Sequence, residues 1–534
     1  MRGNRTRLVL WALCASLAAA CGGGGTGARD RDARAAGGDT GTDAGGTIAD
    51  GGRETAGGHD GGSGDDGAGA DLRDVGVDDS ARDESDTEDT AAPLPDALGA
   101  DTPVMPAPKP NVVVILADDL GFADLGVQGS PDIPTPHIDS IAAAGVRFTR
   151  GYVSGPYCSP TRAALLTGRY QTRFGHEFNE GRMSNRPIFG LPVGEITFAH
   201  RMKALGYATA VVGKWHLGYE DKFRPTRRGF DEFYGTLGNT PFFNPEIVDS
   251  RVGQQPRKID DPKFYTTFAF ADRAIDIIEQ RKAQPFFLYL AFNAVHAPNQ
   301  APAEYLNRFN NITNDRRRSY AAMTAALDDA VGRVLAKLRA EGLEERTLIF
   351  FLSDNGGPMT RWSPNGSSNR PLRGQKGDVW EGGIHVPFFV QWKGRLPAGM
   401  IFDRPVSQID ILPTAIAAAG GQPAPDWKLD GVNLLPFIGG QETGEPHDML
   451  FWRFGTQRAV IDSPWKLVRG FDDSGSQGDV QPPLAQTTPW QLYNLTDDPS
   501  EKRDVAATQS ARARALETAW TAWDKDNVPP AWIP

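Results

Sequence analysis

The chain has 534 residues, only three of them cysteines, and a formal net charge of −11. So few cysteines exclude a small disulfide-stapled protein, and the length predicts more than one unit with its own core. The acidic excess is confined to residues 22–110, which hold 20 Asp and Glu against 7 Lys and Arg, so the near-neutral remainder lacks the basic excess of a nucleic-acid-binding protein.

The first 21 residues have the layout of an export signal. Met1–Arg7 carry three arginines, and Leu8–Ala20 form an almost wholly apolar run that is too short to span a bilayer. The small residues before Cys21 resemble a bacterial lipoprotein signal, which implies a lipid anchor on this cysteine. The alternative is ordinary signal cleavage that leaves Cys21 as a free thiol. In both cases we expect export, as a periplasmic or cell-surface lipoprotein or otherwise as a secreted protein.

Residues 22–110 predict a tether and not a folded domain. They contain no Phe, Trp or Tyr, and Gly, Ala and Asp dominate. Such a segment cannot bury enough apolar surface to offset its chain entropy. We therefore divide the chain into an export signal (1–20), a lipid-attachment cysteine with a disordered tether (21–110), a large domain (111–440) and a C-terminal α+β subdomain (441–534).

From Asn111 onward, strand and helix patterns alternate. Two continuous apolar runs are typical of strands covered on both faces, Asn111–Ala117 and Thr347–Ser353. The alternation predicts an α/β fold, with a large, mostly parallel central sheet flanked by helices. After residue 440, short strand patterns predict a smaller α+β subdomain with an antiparallel sheet. The other predicted elements are strands at 285–292, 386–392, 449–454, 458–461, 466–468 and 491–494, and helices at 136–144, 196–205, 268–281, 319–341 and 505–523.

Polar side chains follow both of the most apolar strands. Asp118 and Asp119 come directly after the first, and Asp354 and Asn355 after the second. Ligands of open α/β sheets gather at the carboxyl ends of strands, so we expect these side chains to converge. Three carboxylates and one amide suit Ca²⁺, with Mg²⁺ as the alternative ion. The alternative interpretation is that each pair only caps the next helix or turn, because Asp is common there.

The segment from Gly155 to Arg169 reads G-P-Y-C-S-P-T-R-A-A-L-L-T-G-R. With Ser159 as N-cap and Pro160 in the first turn, Cys158 would lie just before a helix N-terminus, a position that favours anions. Arg162 would project beside it. Cys158 is open to two further interpretations, a small buried hydrophobic residue or a thiolate nucleophile of low pKa.

The string C-S-P-T-R resembles the C-x-P-x-R signature of the sulfatase family, in which the cysteine is oxidised to formylglycine. The resemblance covers roughly residues 110–500 and implies an alkaline-phosphatase-like fold. It also implies a maturation enzyme as a partner. The matching segments are A-D-D-L-G with Asp118 and Asp119, G-K-W-H-L-G with Lys214 and His216, A-V-H-A-P with His296, S-D-N-G-G with Asp354 and Asn355, and L-R-G-Q-K-G with Lys376.

The resemblance implies an enzyme that hydrolyses sulfate monoesters on a sulfated glycan. His296 would protonate the leaving oxygen with help from Lys376, and His216 would hydrogen-bond the formylglycine. Downstream segments are most similar to the N-acetylgalactosamine 4-sulfatase branch, arylsulfatase B. The implied catalytic residues are Cys158, Arg162, Lys214, His216, His296 and Lys376, and the implied ligands of one Ca²⁺ are Asp118, Asp119, Cys158, Asp354 and Asn355.

Two other functions compete with this interpretation. The first is a phosphate or phosphonate monoester hydrolase of the same superfamily. The second is a non-catalytic, glycan-binding surface lipoprotein, which the complete set of catalytic residues disfavours. Among the aromatic residues, Trp362 lies in a polar loop and is a candidate for facing substrate, whereas Trp215 and Trp380 are expected in the core. The other histidines are interpreted as capping, packing or supporting residues: His137, His176, His200, His385 and His447.

Overall fold

The computed structural model describes residues 108–179, 189–361, 363–471 and 486–533. The predicted export signal, the anchor at Cys21, nearly all of the tether and Trp362 lie outside these residues. Within the described ranges, no helix is both long enough and apolar enough to cross a bilayer.

Sixteen strands are defined in the described part of the chain. They are β1 (Asn111–Ala117), β2 (Val146–Phe148), β3 (Gly151–Tyr152), β4 (Ala208–Lys214), β5 (Glu232–Thr236), β6 (Glu246–Asp249), β7 (Arg257–Lys258), β8 (Phe286–Ala291), β9 (Thr347–Ser353), β10 (Phe388–Gln391), β11 (Met400–Phe402), β12 (Val406–Ser407), β13 (Leu450–Phe454), β14 (Gln457–Asp462), β15 (Trp465–Arg469) and β16 (Gln491–Asn494). The predicted runs for β1, β9 and β16 match the observed strands at both ends.

Ten of these strands form the central sheet, in the order β11-β2-β10-β9-β1-β8-β4-β5-β6-β7. The middle five, from β9 to β5, are all parallel to their neighbours. β10, predicted from residues 386–392, instead pairs antiparallel with β9, and β6 and β7 form an antiparallel edge. A parallel return would need a covering crossover helix, and the described residues between β9 and β10 contain only a four-residue helix. The sheet is therefore parallel where the strand-end residues lie. Outside that region it is mixed, because β2 pairs antiparallel with β10 but parallel with β11.

The helices pack on both faces of this sheet. Along β1, Val112, Val114 and Leu116 join one hydrophobic core, and Val113 and Ile115 join the other. This alternation follows from the two-residue period of a strand and explains why the run is apolar throughout. The helices are α1 (Pro136–Ala143), α2 (Cys158–Thr167), α3 (Phe198–Ala204), α4 (Thr266–Arg281), α5 (Ala303–Arg308), α6 (Asp315–Ala340), α7 (Glu381–Ile384), α8 (Ile411–Ala418), α9 (Leu435–Ile438) and α10 (Ser510–Asp524).

Helices α6 and α10 show the largest differences from the predicted helix starts, whereas α3 and α4 begin at Phe198 and Thr266 instead of residues 196 and 268. Helix α6 begins at Asp315 instead of residue 319, because the Asn314 side chain caps it by accepting a 2.9 Å hydrogen bond from the Arg317 N–H. Helix α10 begins at Ser510 instead of 505, after a turn in which the Val505 N–H pairs with the Leu492 carbonyl. The spacing of apolar residues, from which these helices were predicted, carries no information about either polar contact.

The C-terminal strands β13 to β16 form a separate antiparallel sheet. Val460 and Leu467 on one face pack against helix α10. Trp452 and Val468 on the other face belong to the same hydrophobic cluster as the central sheet. The C-terminal subdomain therefore shares a hydrophobic cluster with the larger domain. It also covers residues next to the site described below.

Candidate active site

Adjacent parallel strands bring the predicted polar residues to one edge of the central sheet. β9 is followed by Asp354, β1 by Asp118 and Asp119, and β4 ends at Lys214. β8, which lies between β1 and β4, leads into the loop that carries His296. These side chains are buried, and the predicted convergence is confirmed.

Helix α2 places Cys158 against this edge. It begins at Cys158 itself, with Tyr157 as the N-cap, so the prediction that Ser159 is the cap is wrong. The Ser159 hydroxyl is already used: it donates to the His216 carbonyl over 2.7 Å and lies 2.6 Å from His176 Nε2. Cys158 is thus a helical residue in the first turn, fully buried, with its Sγ 3.6 Å from Asp118 Oδ1.

Three cationic side chains neutralise the buried carboxylates. Lys214 Nζ lies 2.6 Å from Asp118 Oδ2, and Lys376 Nζ lies 2.8 Å from Asp119 Oδ2. Arg162 donates from Nε and Nη2 to Asp354 Oδ2, over 3.0 and 2.7 Å. These residues are far apart in the sequence, and folding brings each carboxylate into contact with a cationic side chain.

Asp119 is the hub of a second group of contacts. Its Oδ1 accepts a 2.7 Å hydrogen bond from Asn355 Nδ2, and His296 Nε2 lies 3.5 Å from its Oδ2. Its backbone N–H donates to Asp354 Oδ1 over 3.1 Å. Asp119 has a φ of 61°, a left-handed conformation that is uncommon for a residue other than glycine. The contacts from both flanking strands hold it in that conformation.

Burial and crowding of charge shift the pKa values of these groups. Burial opposes ionisation of Asp118, but the charge of Lys214 and of other nearby cations outweighs it and lowers the pKa. Burial and the Asp118 charge raise the pKa of Asp354. Burial also raises the pKa of the Cys158 thiol, although Lys214 and Lys376 oppose it. A protonated thiol is the opposite of what a thiolate nucleophile requires.

The donor set fits a hard divalent cation. Asp118, Asp119, Cys158 and Asp354 each offer a ligand atom, and these atoms lie within 4.8 Å of one another. Asn355 Oδ1 is buried and has no hydrogen-bond partner among the described residues. A buried amide oxygen without a partner costs free energy, and coordination of a cation removes that cost. Carboxylate and amide oxygens are the ligands that Ca²⁺ and Mg²⁺ take.

The two histidines of the predicted site occupy different environments. His216 has a φ of 57°, and burial together with the Lys214 charge lowers its pKa well below the usual value. His296 is 9% exposed, and burial lowers its pKa while Asp119 opposes the shift. The slight exposure of His296 places it where the buried cluster meets solvent.

The remaining histidines hold other parts of the fold. His200 forms a capping box with Thr197 at the start of α3, and His447 bonds the Asp410 carboxylate over 2.8 Å. His385 lies 3.0 Å from Glu381, and His176 contacts Ser159 as described. His137 lies 3.9 Å from Asp329 on another face of the molecule. Trp215 and Trp380 are fully buried, as expected for core residues.

The polar loop that the sequence places near substrate points two asparagines inward. Asn365 donates from Nδ2 to the Val295 carbonyl over 2.9 Å and to the Asp119 carbonyl over 3.2 Å. Asn369 accepts from the Gly357 N–H over 2.9 Å. These hydrogen bonds attach the loop to the strand ends. No sequence motif pointed to either asparagine.

A second supporting contact comes from the C-terminal sheet. Gln457, in β14, is fully buried and donates from Nε2 to the Gly377 carbonyl over 2.6 Å, while its Oε1 accepts from the Val379 N–H over 3.2 Å. These bonds hold the residues that directly follow Lys376. Because 80 residues separate Gln457 from Gly377, local sequence gives no sign of this contact.

The parallel sheet edge, the buried cations and the hard-ligand set define a class of protein: a hydrolase of anionic monoesters with an alkaline-phosphatase-like core. Comparison with known proteins narrows the class. The sulfatase family model matches residues 110–421. Mouse arylsulfatase J is 33% identical over 474 residues, which cover 80% of this chain and 77% of that protein. Human N-acetylgalactosamine-6-sulfatase is 35% identical over 352 residues, 62% of this chain and 66% of that protein. The chain therefore belongs to the sulfatase family and is a sulfuric ester hydrolase.

Solved structures agree with this assignment. Ps i-CgsB superposes with a TM-score of 0.72 at 34% identity, covering 80% of this chain and 95% of that one. A phosphonate monoester hydrolase of Agrobacterium radiobacter shares the fold, with a TM-score of 0.56 at 23% identity and coverage of 78% and 95%. The sequence comparisons favour sulfate ester hydrolysis over the phosphate or phosphonate alternative and over a non-catalytic binding role.

Proposed function

We propose that this sulfatase uses formylglycine formed from Cys158, together with one Ca²⁺ ion, to remove sulfate from a sulfated glycan. The observation that carries the proposal is the position of Cys158. The cysteine of C-S-P-T-R lies in the first turn of α2, with its sulfur 3.6 Å from a carboxylate of the candidate cation site. Mg²⁺ is the alternative ion for the same oxygen ligands.

Asp118, Asp119, Asp354 and Asn355 would hold the ion, together with an oxygen of the modified Cys158. A bound divalent ion supplies positive charge that stabilises sulfate oxygens and lowers the pKa of an attacking hydroxyl. Lys214 and Arg162 would hold the sulfate and the nucleophile in place. They can do so because both are buried and anchored on carboxylates that follow strand ends.

The hydrate of formylglycine supplies two hydroxyl groups on one carbon, of which one attacks sulfur and the other permits release of sulfate with regeneration of the aldehyde. His216 would hydrogen-bond this group. The Ser159 hydroxyl donates to the His216 carbonyl, so the segment after β4 and the start of α2 are tied together. This tie keeps His216 and Cys158 in a fixed relation.

His296 would give a proton to the departing oxygen, with Lys376 assisting. Both side chains contact the same carboxylate: Lys376 Nζ lies 2.8 Å and His296 Nε2 lies 3.5 Å from Asp119 Oδ2. A sugar alkoxide is a poor leaving group, so its departure requires a proton. His296 is also the more exposed of the two site histidines, as a group that faces an incoming glycan must be.

Similarity to glycan-acting proteins supports a sulfated carbohydrate as the substrate. Relatives include proteins named N-acetylgalactosamine-6-sulfatase, and Ps i-CgsB has been solved in complex with k-i-k-neocarrahexaose, with a TM-score of 0.71 at 34% identity and coverage of 80% and 95%. The sequence segments favour N-acetylgalactosamine 4-sulfate as the first compound to assay, and the relatives add the 6-sulfate.

An exported, membrane-tethered enzyme suits such a substrate. A polysaccharide too large to be imported must be trimmed outside the cytoplasm. The signal-like N-terminus, Cys21 and the acidic tether would hold the sulfatase domain (111–440) and its C-terminal subdomain (441–534) away from a membrane surface. A formylglycine-generating enzyme is the partner that this maturation requires.

Mass spectrometry of the tryptic peptide that spans Cys158 tests the proposal directly. Active protein from a host with the maturation enzyme should carry an aldehyde that reacts with a carbonyl reagent, and metal analysis should find one divalent ion per chain. Cys158→Ala is expected to abolish turnover without unfolding the protein. Fully active protein with only an alkylatable thiol at this position would refute the formylglycine proposal.

A further inference from the structure

Tyr157 directly precedes Cys158, but it is not part of the C-S-P-T-R string and has no role in the proposed mechanism. It is the N-cap of helix α2, with an extended backbone. Cys158 is fully buried, whereas Tyr157 is half-buried. The Lys376 ammonium lies over the Tyr157 ring, with Nζ 5.1 Å from the ring centroid. A cation within about 6 Å of an aromatic centroid is attracted by the negative face of the ring.

Two groups therefore hold the Lys376 ammonium. Its Nζ lies 2.8 Å from Asp119 Oδ1 and 2.8 Å from Asp119 Oδ2. A lysine ammonium is a point charge on a flexible stem, so one carboxylate fixes its distance but leaves the stem free to swing. The Tyr157 ring limits that freedom. Because the face of the ring accepts no proton, it can orient the ammonium without withdrawing the proton from a leaving oxygen.

The C-terminal sheet supports the Tyr157 ring. Phe454, the last residue of β13, is buried and stacks on this ring, with the two centroids 5.7 Å apart and an angle of 24° between the planes. Phe471, which follows β15, also packs against Tyr157. Offset-stacked rings at this spacing attract each other. The two buried phenylalanines thus determine where the tyrosine ring lies.

The backbone joins the segments that carry the ring and the lysine. The Gly377 N–H donates to the Pro156 carbonyl over 2.8 Å. These two residues are the direct neighbours of Lys376 and Tyr157 in the sequence. The start of α2 therefore both places Cys158 and presents an aromatic ring to the lysine of another segment.

We infer that Tyr157 is a positioning residue for Lys376: its ring face keeps the ammonium directed for proton assistance to the leaving oxygen, and Phe454 of the C-terminal sheet supports the ring. This inference rests on the proposed function, in which Lys376 assists His296. Tyr157 acts through the lysine and not by contact with the reacting atoms.

Two aryl sulfates test the inference independently of the sugar. Nitrophenolate leaves readily, whereas the more basic phenolate of phenyl sulfate depends more on a proton. Tyr157→Leu removes the ring face and should lower kcat on phenyl sulfate about five- to tenfold, the usual effect of a desolvated cation–π contact, with a smaller loss on nitrophenyl sulfate. Tyr157→Phe keeps the ring and should retain the wild-type ratio of the two rates. On a sugar sulfate, kcat should fall in Tyr157→Leu and not in Tyr157→Phe.

A double-mutant cycle separates positioning from packing. Lys376→Ala should itself lower kcat on phenyl sulfate more than on nitrophenyl sulfate. Adding Tyr157→Leu to Lys376→Ala should then change the ratio of the two rates little, because the ring acts through the lysine. Phe454→Leu removes the supporting ring and should give a weaker loss with the same dependence on the leaving group. Thermal unfolding of each variant shows that the compared proteins are folded.

Trp465→Leu is the matched control. Trp465 is also a partly buried aromatic residue beside a cation, with Arg512 Cζ 5.0 Å from its ring centroid. It begins β15 and pairs with Asp462, at the other end of β14 from Gln457, which pairs with Phe454. This variant should keep the wild-type ratio of the two rates.

The possible failures are distinguishable. No loss or equal losses on both aryl sulfates in Tyr157→Leu, or a loss of the same size in Tyr157→Phe, would overturn the positioning role. An unchanged rate ratio in Lys376→Ala would overturn the assisting role of Lys376, and this inference with it. No release of sulfate from aryl or sugar sulfates by wild-type protein that carries formylglycine would overturn the proposed function itself.

Discussion

At the scale of single residues, His296 contacts the buried cluster through Asp119. The imidazole Nε2 already lies 3.5 Å from the carboxylate that Lys376 also contacts. In the proposed function, His296 gives a proton to the leaving oxygen from this position. How much the donor contributes depends on how basic that leaving group is.

The leaving group therefore provides a prediction for His296→Ala. On a sugar sulfate we expect the rate to fall by roughly 10² to 10⁴, the usual contribution of a positioned general acid. On nitrophenyl sulfate the loss should be much smaller, because nitrophenolate leaves without a proton. Parallel kcat measurements on both substrates check this, and equal losses would mean that His296 binds sulfate instead.

At the scale of elements, strand β14 of the C-terminal sheet forms hydrogen bonds to the segment that carries Lys376. Gln457 bonds Gly377 and Val379, and the Gly377 N–H in turn donates to the Pro156 carbonyl over 2.8 Å, two residues before Cys158. The lysine segment is thus clamped between the C-terminal sheet and the start of α2.

We predict that Gln457→Leu loosens this clamp without touching substrate. Two buried backbone groups lose their partner, which costs about 1–3 kcal/mol of stability. If Lys376 assists the leaving group, kcat on a sugar sulfate should fall about tenfold, equivalent to 1.4 kcal/mol, with a smaller loss on nitrophenyl sulfate. The comparison of kcat and KM on both substrates measures this.

Gln391→Leu is the matched control. Gln391 is also a buried glutamine on a strand, but it ends β10 away from the site, and no group in the described part of the chain bonds its Nε2. This variant should keep wild-type kinetics. If both variants lost activity equally on both substrates, Gln457 would have a general packing role and not a positioning one.

At the scale of the whole molecule, a buried charge cluster joins the two sheets. Lys466 Nζ, from β15, lies 2.9 Å from Glu381 Oε1 and 2.9 Å from Glu501 Oε1. His385 Nδ1 also lies 3.0 Å from Glu381 Oε2 and, together with Lys466, favours the ionised form of Glu381, whereas burial dominates at Glu501. Burial raises the pKa of Glu501 to about 7, whereas Lys466 outweighs burial and lowers that of Glu381 to about 2.

The cluster predicts a pH-dependent stability. Because folded Glu501 binds its proton more tightly than the unfolded side chain, whose pKa is 4.5, its contribution is full below pH 4.5 and is lost as the pH rises through about 7. The Glu381 contribution is present above pH 4.5 and is lost only as the pH falls toward 2. From pH 5 to 8, Glu501 is thus the member of this pair whose contribution changes.

Thermal unfolding of wild type and Glu501→Gln from pH 5 to 8 tests this. The stability advantage of wild type over the variant should shrink as the pH rises, on the order of 3 kcal/mol across the window. Glu345→Gln, at an exposed position, should follow the wild-type profile. A constant difference between wild type and Glu501→Gln at every pH would show that Glu501 does not titrate in the folded protein.

The C-S-P-T-R string and the acidic residues after two apolar runs identified the core of the candidate site without coordinates. This was possible because buried parallel strands are readable as continuous apolar segments, and their carboxyl ends must meet at one sheet edge. Asp118, Asp119, Asp354 and Asn355 follow such segments directly. A local pattern was sufficient because backbone geometry carries these residues to their places.

Only the tertiary structure decided the antiparallel pairing of β10, the Gln457 clamp and the Lys466 cluster. Gln457 and Lys466 join positions 80 and 85 residues apart, and each is an ordinary polar residue in an ordinary strand. The free energy of such contacts depends on which partner the packed core presents. The order of residues within either segment does not encode that partner, because the interaction forms only when both polar groups are buried together.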